Sequence, residues 1–309
     1  MSKFAGSNLK TESRCSKLVF ETFFLWHEYL GMPDLSRFLS MESRCSGNMQ
    51  ISTLNITDSN YIHSVTSKES ILGRIPCISV LERVRVLRYV GVCNQKTIMS
   101  LSKFPKLISF YIGYLPPLIK IDMMTSHLSC IPTLRYIHIE KCLVPEIDLS
   151  CCDELTQLRL PNAMSLKVLQ ISTLARLTYM EISNSRMQAS NLMAIIHAQA
   201  PYLQQVVLEA NQQLSGQVVF PQMPTLIRLN ISNCLHISSL YIMNACRLES
   251  LELTCCFGLM SLVISSTTPH LSSLNVQMLQ NLTELKIPAT CQVFSDGSGL
   301  AAALSSAEV

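Results

Sequence analysis

Thirteen cysteines and seven histidines are the side chains of this sequence best suited to chemistry. Thiolates and imidazoles act as nucleophiles and as ligands for zinc, so their spacing comes first. His127-x-x-Cys130 with Cys142, or the adjacent Cys151-Cys152 near Cys142, could open a metal site, which needs four convergent ligands. The cysteines instead fall in step with regularly spaced leucines, at a position where a small thiol packs under the next segment. In the pairs Cys151-Cys152 and Cys255-Cys256, one sulfur is expected to face inward and the other outward. The outward thiols, Cys151 and Cys255, are the candidates for redox sensitivity. The sequence contains no GxGxxG, Walker loop, HExxH or GxSxG, and its ten glycines leave little material for a phosphate-cradling loop. No catalytic residue, metal ligand or cofactor is therefore assigned, and a non-enzymatic protein is expected.

The leucines that pace the cysteines define the elements. From Leu226 to Ile287 one phrase occurs six times, opening at Leu226, Ile237, Leu248, Leu259, Leu271 and Leu282, in steps of 11, 11, 11, 12 and 11 residues. Each copy reads apolar, two variable, apolar, one variable, apolar. The last two apolar positions share one face of a short strand, and the first packs the chain where it turns into that strand. Strands this short cannot hide an apolar face alone, so neighbours must stack into a continuous core. Upstream copies open at Leu87, Leu107, Leu118, Leu134, Val144, Leu155, Leu166 and Leu177. A step of 26 residues then leads to Leu203, and Leu214 opens a degenerate copy. Inside the long step, residues 190–200 read as a short helix capped by Ser190, with Leu192, Ile195 and Ile196 inward.

Proline separates two kinds of copy. Pro105, Pro132, Pro201, Pro224 and Pro269 each stand two residues before an opening leucine, and only in alternate copies. Proline cannot donate to a strand ladder and belongs at the turn before it. The unit is therefore about 22–23 residues, with a proline-preceded strand on one side of the coil and a second extended segment on the other. Residues between the apolar positions point outward. The central outward row reads Tyr111, His138, Arg159, Glu181, Val207, Asn230, Glu252, Asn275 and Lys286. With Tyr136 and Tyr179, which flank it, the row's Tyr111, His138, Arg159 and Glu181 form an aromatic and charged patch of the composition found at binding hot spots.

Thr225-Leu-Ile-Arg-Leu-Asn-Ile-Ser-Asn-Cys-Leu-His-Ile237, and the residues Cys142, Ala163, Ser185, Asn211, Cys234 and Cys256 three beyond the last apolar position, resemble the leucine-rich repeat family over residues 85–290. Cys130-Ile-Pro-Thr-Leu134 resembles its cysteine-containing branch, common in F-box proteins. The resemblance implies an α/β repeat fold: a leucine-rich-repeat solenoid, β-rich, with a short N-terminal helical cap. The clear phrase in the second half-repeat favours extended segments on both sides over a helix-backed horseshoe. Tyr29-Leu-Gly-Met-Pro-Asp-Leu-Ser-Arg-Phe-Leu-Ser-Met-Glu-Ser-Arg-Cys45 is similar to the latter half of an F-box, which implies a Skp-type adaptor held through Leu30, Pro33, Asp34 and Leu35. A repeat array needs its open end capped in any case, and that is the reading preferred for these helices, which could also serve as both.

Four segments follow. Residues 1–50 are expected to be the cap or F-box-like segment, helical from Cys15 to about Phe38, with a second helix opening at Asp34. Residues 51–84 are a transition with a strand-like phrase at Ile51/Leu54/Ile56, residues 85–290 the solenoid, and residues 291–309 a frayed tail. Hydrophobic residues make up 48% of the chain, ample for a core, and charged residues 15%, against ~25% in an ordinary domain. A net charge of +3 with no Lys/Arg run does not suggest nucleic acid. Without an apolar leader or a long apolar span, a cytoplasmic or nuclear protein with reduced thiols is expected, not a membrane protein. The leading functional expectation is a scaffold binding a protein partner on the repeat face. The alternatives are an F-box-like substrate receptor of a cullin ubiquitin ligase and a cysteine-based metal or redox protein.

Overall fold

The computed structural model describes residues 17–19, 53–57, 84–93, 95–172, 176–265, 267–288 and 291–295. The expected helices of the N-terminal segment, with Leu30, Pro33, Asp34 and Leu35, lie outside these residues. Every pairing between described strands is parallel. The fold is β-rich with few helices, and its sheets do not close into a barrel.

The larger, front sheet takes one strand from each coil. In order these are β1 (Lys17–Val19), β2 (Thr53–Thr57), β3 (Val86–Val92), β4 (Ser109–Leu115), β5 (Tyr136–Cys142), β7 (Gln157–Leu160), β9 (Tyr179–Ile182), β10 (Gln205–Val207), β12 (Arg228–Asn230), β14 (Ser250–Glu252), β16 (Ser273–Asn275) and β18 (Gln292–Phe294). On the back, β6 (Glu146–Leu149) pairs β8 (Val168–Ile171), and β11 (Gly216–Phe220), β13 (Ile237–Ile242), β15 (Ser261–Ile264) and β17 (Glu284–Lys286) form a second sheet. This two-sided stack is compatible with a solenoid-like repeat. One contiguous apolar core runs between the sheets from Val84 to Leu285.

The prolines act as the sequence predicts, and the hydrogen bonds give the reason. The N–H of Leu107, Leu134, Leu226 and Leu271 donates to the carbonyl three residues back, on Phe104, Ile131, Met223 and Thr268. Pro105, Pro132, Pro224 and Pro269 thus occupy the second position of a β-turn, where their fixed φ is already correct. All four turns lead into front strands. The turn after each front strand explains the cysteine period. Cys142, Ala163, Ser185, Asn211, Cys234 and Cys256 are all buried. Cys234 Sγ donates to the Leu208 carbonyl and Cys256 Sγ to the Ile231 carbonyl, each at 3.1 Å, so the thiol satisfies a main-chain acceptor of the preceding coil. The residue just before this position is left-handed at Asn184, Ala210, Asn233 and Cys255, with φ of 53, 58, 62 and 59°. Their N–H groups donate across to the next coil, on Glu209, Ser232, Thr254 and Gln277, which holds the conformation in place.

Several expectations are corrected. Lys17–Val19 is a strand paired with β2, not part of a helix; a dense apolar run does not separate buried strand from helix by its period alone. The first regular copy is Val84/Leu87/Tyr89, not Leu87/Val90/Val92: Leu87 pairs with Phe110, Tyr89 pairs with Ile112, and Tyr89 is 1% exposed. Tyr89 passes for a core residue because its hydroxyl donates to the Val92 carbonyl at 3.4 Å. Leu118 does not open a buried strand; it is 81% exposed, and α2 (Ile121–Leu128) follows, burying Met124 and Leu128 at helical spacing. With α1 (Gln95–Met99) and α3 (Ala189–Gln199), α2 makes parts of the back helical; α3 matches the helix expected over residues 190–200, whereas α1 and α2 stand where no helix was expected. The longer steps record two of these insertions: 27 residues from Phe110 to Ile137 around α2, and 26 from Met180 to Val206 around α3. Ser190 lies inside α3; the N-cap is Gln188, whose extended ψ of 144° marks the true start. Of the three α3 residues expected inward, Leu192 and Ile196 are buried and Ile195 is half-buried. Where the degenerate copy at Leu214 pairs with β13, the register shifts after Gly216, which passes over Ser238 on β13. Among the described residues no helix is long and apolar enough to cross a membrane.

Candidate functional site

Strand alternation turns Tyr111, Tyr136, His138, Arg159, Tyr179 and Glu181 to the outer side of β4, β5, β7 and β9, opposite the buried Phe110, Ile137, Leu158 and Met180. The ladder brings all six together. Tyr111 pairs with His138, His138 with Arg159, and Arg159 with Glu181, while Tyr136 pairs with Gln157 and Gln157 with Tyr179. The row continues through Val207, Asn230, Glu252 and Asn275, and ends on Phe294. Lys286, expected in this row, lies on β17 in the back sheet beside Val263. Its copy is a second half-repeat, and only the absence of a preceding proline marked it as such.

Arg88 extends the row at its other end and was missed in the sequence because of the register error at Leu87. It pairs with Tyr111, and its guanidinium carbon sits 4.9 Å from the centre of that ring. Tyr111 meets His138 edge to face, with ring centres 4.7 Å apart and planes at 72°. That distance is the ~4.8 Å strand spacing itself, so one ring per strand stacks without distortion. His138 Nε2 lies 3.1 Å from Glu140 Oε2, on the same strand.

Beyond His138 the contacts become ionic. Arg159 Nε donates to Glu181 Oε2 at 2.7 Å, and the Tyr179 hydroxyl donates to the same oxygen at 3.1 Å. The Arg159 guanidinium also lies 5.5 Å from the Tyr179 ring centre. Only 11% of the Glu181 side chain is exposed, against 46% of Arg159. A carboxylate this sheltered needs its donors, and the two it has fix Arg159 and Tyr179 in one geometry. Burial, and then the Glu181 charge, push the Tyr179 hydroxyl above the usual tyrosine range.

Burial, reinforced by the Arg159 charge, holds His138 below the ordinary histidine value despite the opposing pull of Glu140 and Glu181. The unfolded chain therefore takes up this proton first. The stability attached to His138 is complete above pH ~6.5 and is lost as pH falls through that value toward the lower folded one. Urea midpoints at pH 7.5 and 5.5 should accordingly fall further in the native chain than in His138→Gln. Equal losses in the two proteins would remove this assignment.

The cysteines separate inward and outward as expected, although both pairs lie in turns and not in strands. Cys152 and Cys256 are buried, while Cys151 and Cys255 are half-exposed. Burial pushes the Cys142 and Cys234 thiols up to about 12 and Cys256 to about 11, which keeps them protonated and unreactive at neutral pH. Cys151 Sγ lies 3.9 Å from Cys152 Sγ, and hydrogen bonding from that neighbour lowers the Cys151 pKa. Cys255 Sγ lies 3.5 Å from Met278 Sδ. Among the described residues no three His, Cys, Asp or Glu side chains converge as metal ligands do. No protein-family model matches the chain, and no curated protein matches it either.

Proposed function

We propose that the chain is a leucine-rich-repeat protein that holds a protein partner against the outer side of its front sheet, without catalysing a reaction. The observation that carries this reading is the fixed row Arg88–Tyr111–His138–Arg159–Glu181 with Tyr179. Rings and guanidinium groups are held in contact across five consecutive front strands. Side chains already ordered lose little freedom on binding, which is what makes aromatic and arginine residues effective anchors. The buried, protonated thiols of the turns favour a packing role over metal or redox chemistry for the cysteine period.

The test is charge reversal on the face. Partners captured by the native chain should be lost from Arg159→Glu and from Glu181→Arg. The double exchange keeps the ion pair and separates a folding defect from a lost contact. Partners retained by all three variants would remove the patch as the binding site. The narrower reading, an F-box-like substrate receptor, rests on the resemblance of Tyr29–Cys45. It requires the full chain to retain a Skp-type adaptor in the same capture experiment.

A further inference from the structure

We infer that the partner presents an acidic, extended polypeptide segment, which lies across the front strands and places two carboxylates on Arg88 and Arg159. This rests on the reading of the face as a protein-binding surface and adds the chemistry of what is bound. Arg88 and Arg159 occupy the same outward row, separated by the steps β3 to β4, β4 to β5 and β5 to β7. At ~4.8 Å per step they stand roughly 14 Å apart. An extended chain rises ~3.3 Å per residue, so side chains four residues apart span about 13 Å and point the same way. The residue midway between them falls over Tyr111 and His138, where an apolar or aromatic side chain packs best.

Charge is distributed to match. Arg85, Lys106 and Arg135 line the edge where the chain turns into β3, β4 and β5, and Arg88 and Arg159 are exposed on the face itself. Against them, Glu181 is sheltered beneath Arg159 and Tyr179, and Glu154 sits 3.5 Å from Arg135. Glu140 is the exposed carboxylate within the patch, beside His138. The far half of the row, Val207, Asn230, Glu252, Asn275 and Phe294, offers no cation on the central line. Both arginines are also pre-positioned, Arg88 on the Tyr111 ring and Arg159 by Glu181. Two discrete cations, with Glu140 on a strand between them and Glu181 beyond Arg159, suit separate carboxylates. A phosphate backbone calls for an unbroken basic strip, which the net charge of +3 does not supply.

The experiment pans a randomised nine-residue peptide library displayed on phage against the full-length chain. Enriched peptides are expected to carry Asp or Glu at two positions four residues apart, with an apolar or aromatic residue between. Binding of a synthetic copy by fluorescence anisotropy should weaken about tenfold in Arg88→Glu, with an unchanged thermal midpoint, and about tenfold in the double variant Arg159→Gln/Glu181→Gln relative to Glu181→Gln alone, a comparison that leaves no sheltered carboxylate without its donor. It should also weaken with added salt. Neutral or basic peptides that compete with modification of Tyr111 and Tyr136 would overturn the acidic chemistry and leave the binding face standing. Tighter binding of single-stranded RNA than of any enriched peptide would overturn the inference in favour of nucleic acid. No enrichment at all would overturn both the inference and the function it rests on.

Discussion

Replacing Asn211 with leucine is expected to lower the stability of the array by about 3 kcal/mol or more. Asn211 is 1% exposed and occupies the turn position shared by the buried cysteines. Its Nδ2 donates to the Ile182 carbonyl at 2.6 Å and to the Leu208 carbonyl at 2.8 Å. Its Oδ1 accepts from the Ser185 N–H at 3.0 Å and the Ser185 hydroxyl at 2.6 Å. One side chain thus ties the coil of β9 to that of β10, across the longer step that holds α3. Leucine fills the volume and strands these groups away from water, at roughly 1–3 kcal/mol for each one left unsatisfied. The Leu208 carbonyl keeps the Cys234 thiol as a donor, so the loss falls mainly on Ile182 and Ser185. Asn211→Cys should lie between the two, because cysteine makes one such donation at positions 234 and 256. Urea midpoints followed by circular dichroism rank the three proteins. An Asn211→Leu midpoint equal to the native one would show that the network is dispensable.

Gly258→Ala should cost a similar amount for a different reason. A methyl group at Gly258 would lie 2.5 Å from the Leu235 carbonyl oxygen and 3.0 Å from that of Ile237, both main-chain atoms of the preceding coil. Neither can swing aside as a side chain does, so the two coils must separate locally, at about 3 kcal/mol. Gly216→Ala is the control. Nothing lies within 4 Å of a methyl group there, and the expected cost of about 1 kcal/mol comes from its φ of +70° alone. Thermal midpoints should therefore drop more for Gly258→Ala than for Gly216→Ala. The reverse order would mean that coil spacing is soft and backbone conformation limiting.

These two sites also mark what the sequence could and could not reveal. The alternation of front and back was legible because apolar spacing and proline report strand and turn directly, as at Met223-Pro-Thr-Leu226. The cysteine period was legible because a buried thiol and a buried asparagine can serve the same carbonyl acceptors. The register at Val84/Leu87/Tyr89 was not, since a tyrosine has an apolar body and a polar tip and fits either face. Nor was α2, where three apolar residues at Leu118, Ile121 and Met123 satisfy a strand phrase and a helix equally. Of the site, the six outward residues followed from alternation alone. Their contacts did not, because which rings and charges meet depends on the coil-to-coil register. That register places Arg159 on Glu181 and brings Arg88, unmarked by any local pattern, against Tyr111.

The account stands or falls on which side of the stack meets the partner. A photo-crosslinking amino acid placed at Tyr136, 38% exposed on the front sheet, reports that side, and one at Tyr241, on the outer side of β13, reports the back. Irradiated in cells expressing the full chain, the Tyr136 variant is expected to form a discrete protein adduct that Arg159→Glu abolishes, and the Tyr241 variant none. Adducts from Tyr241 alone, or a Tyr136 adduct indifferent to Arg159→Glu, would contradict the assignment of the front face as the binding surface.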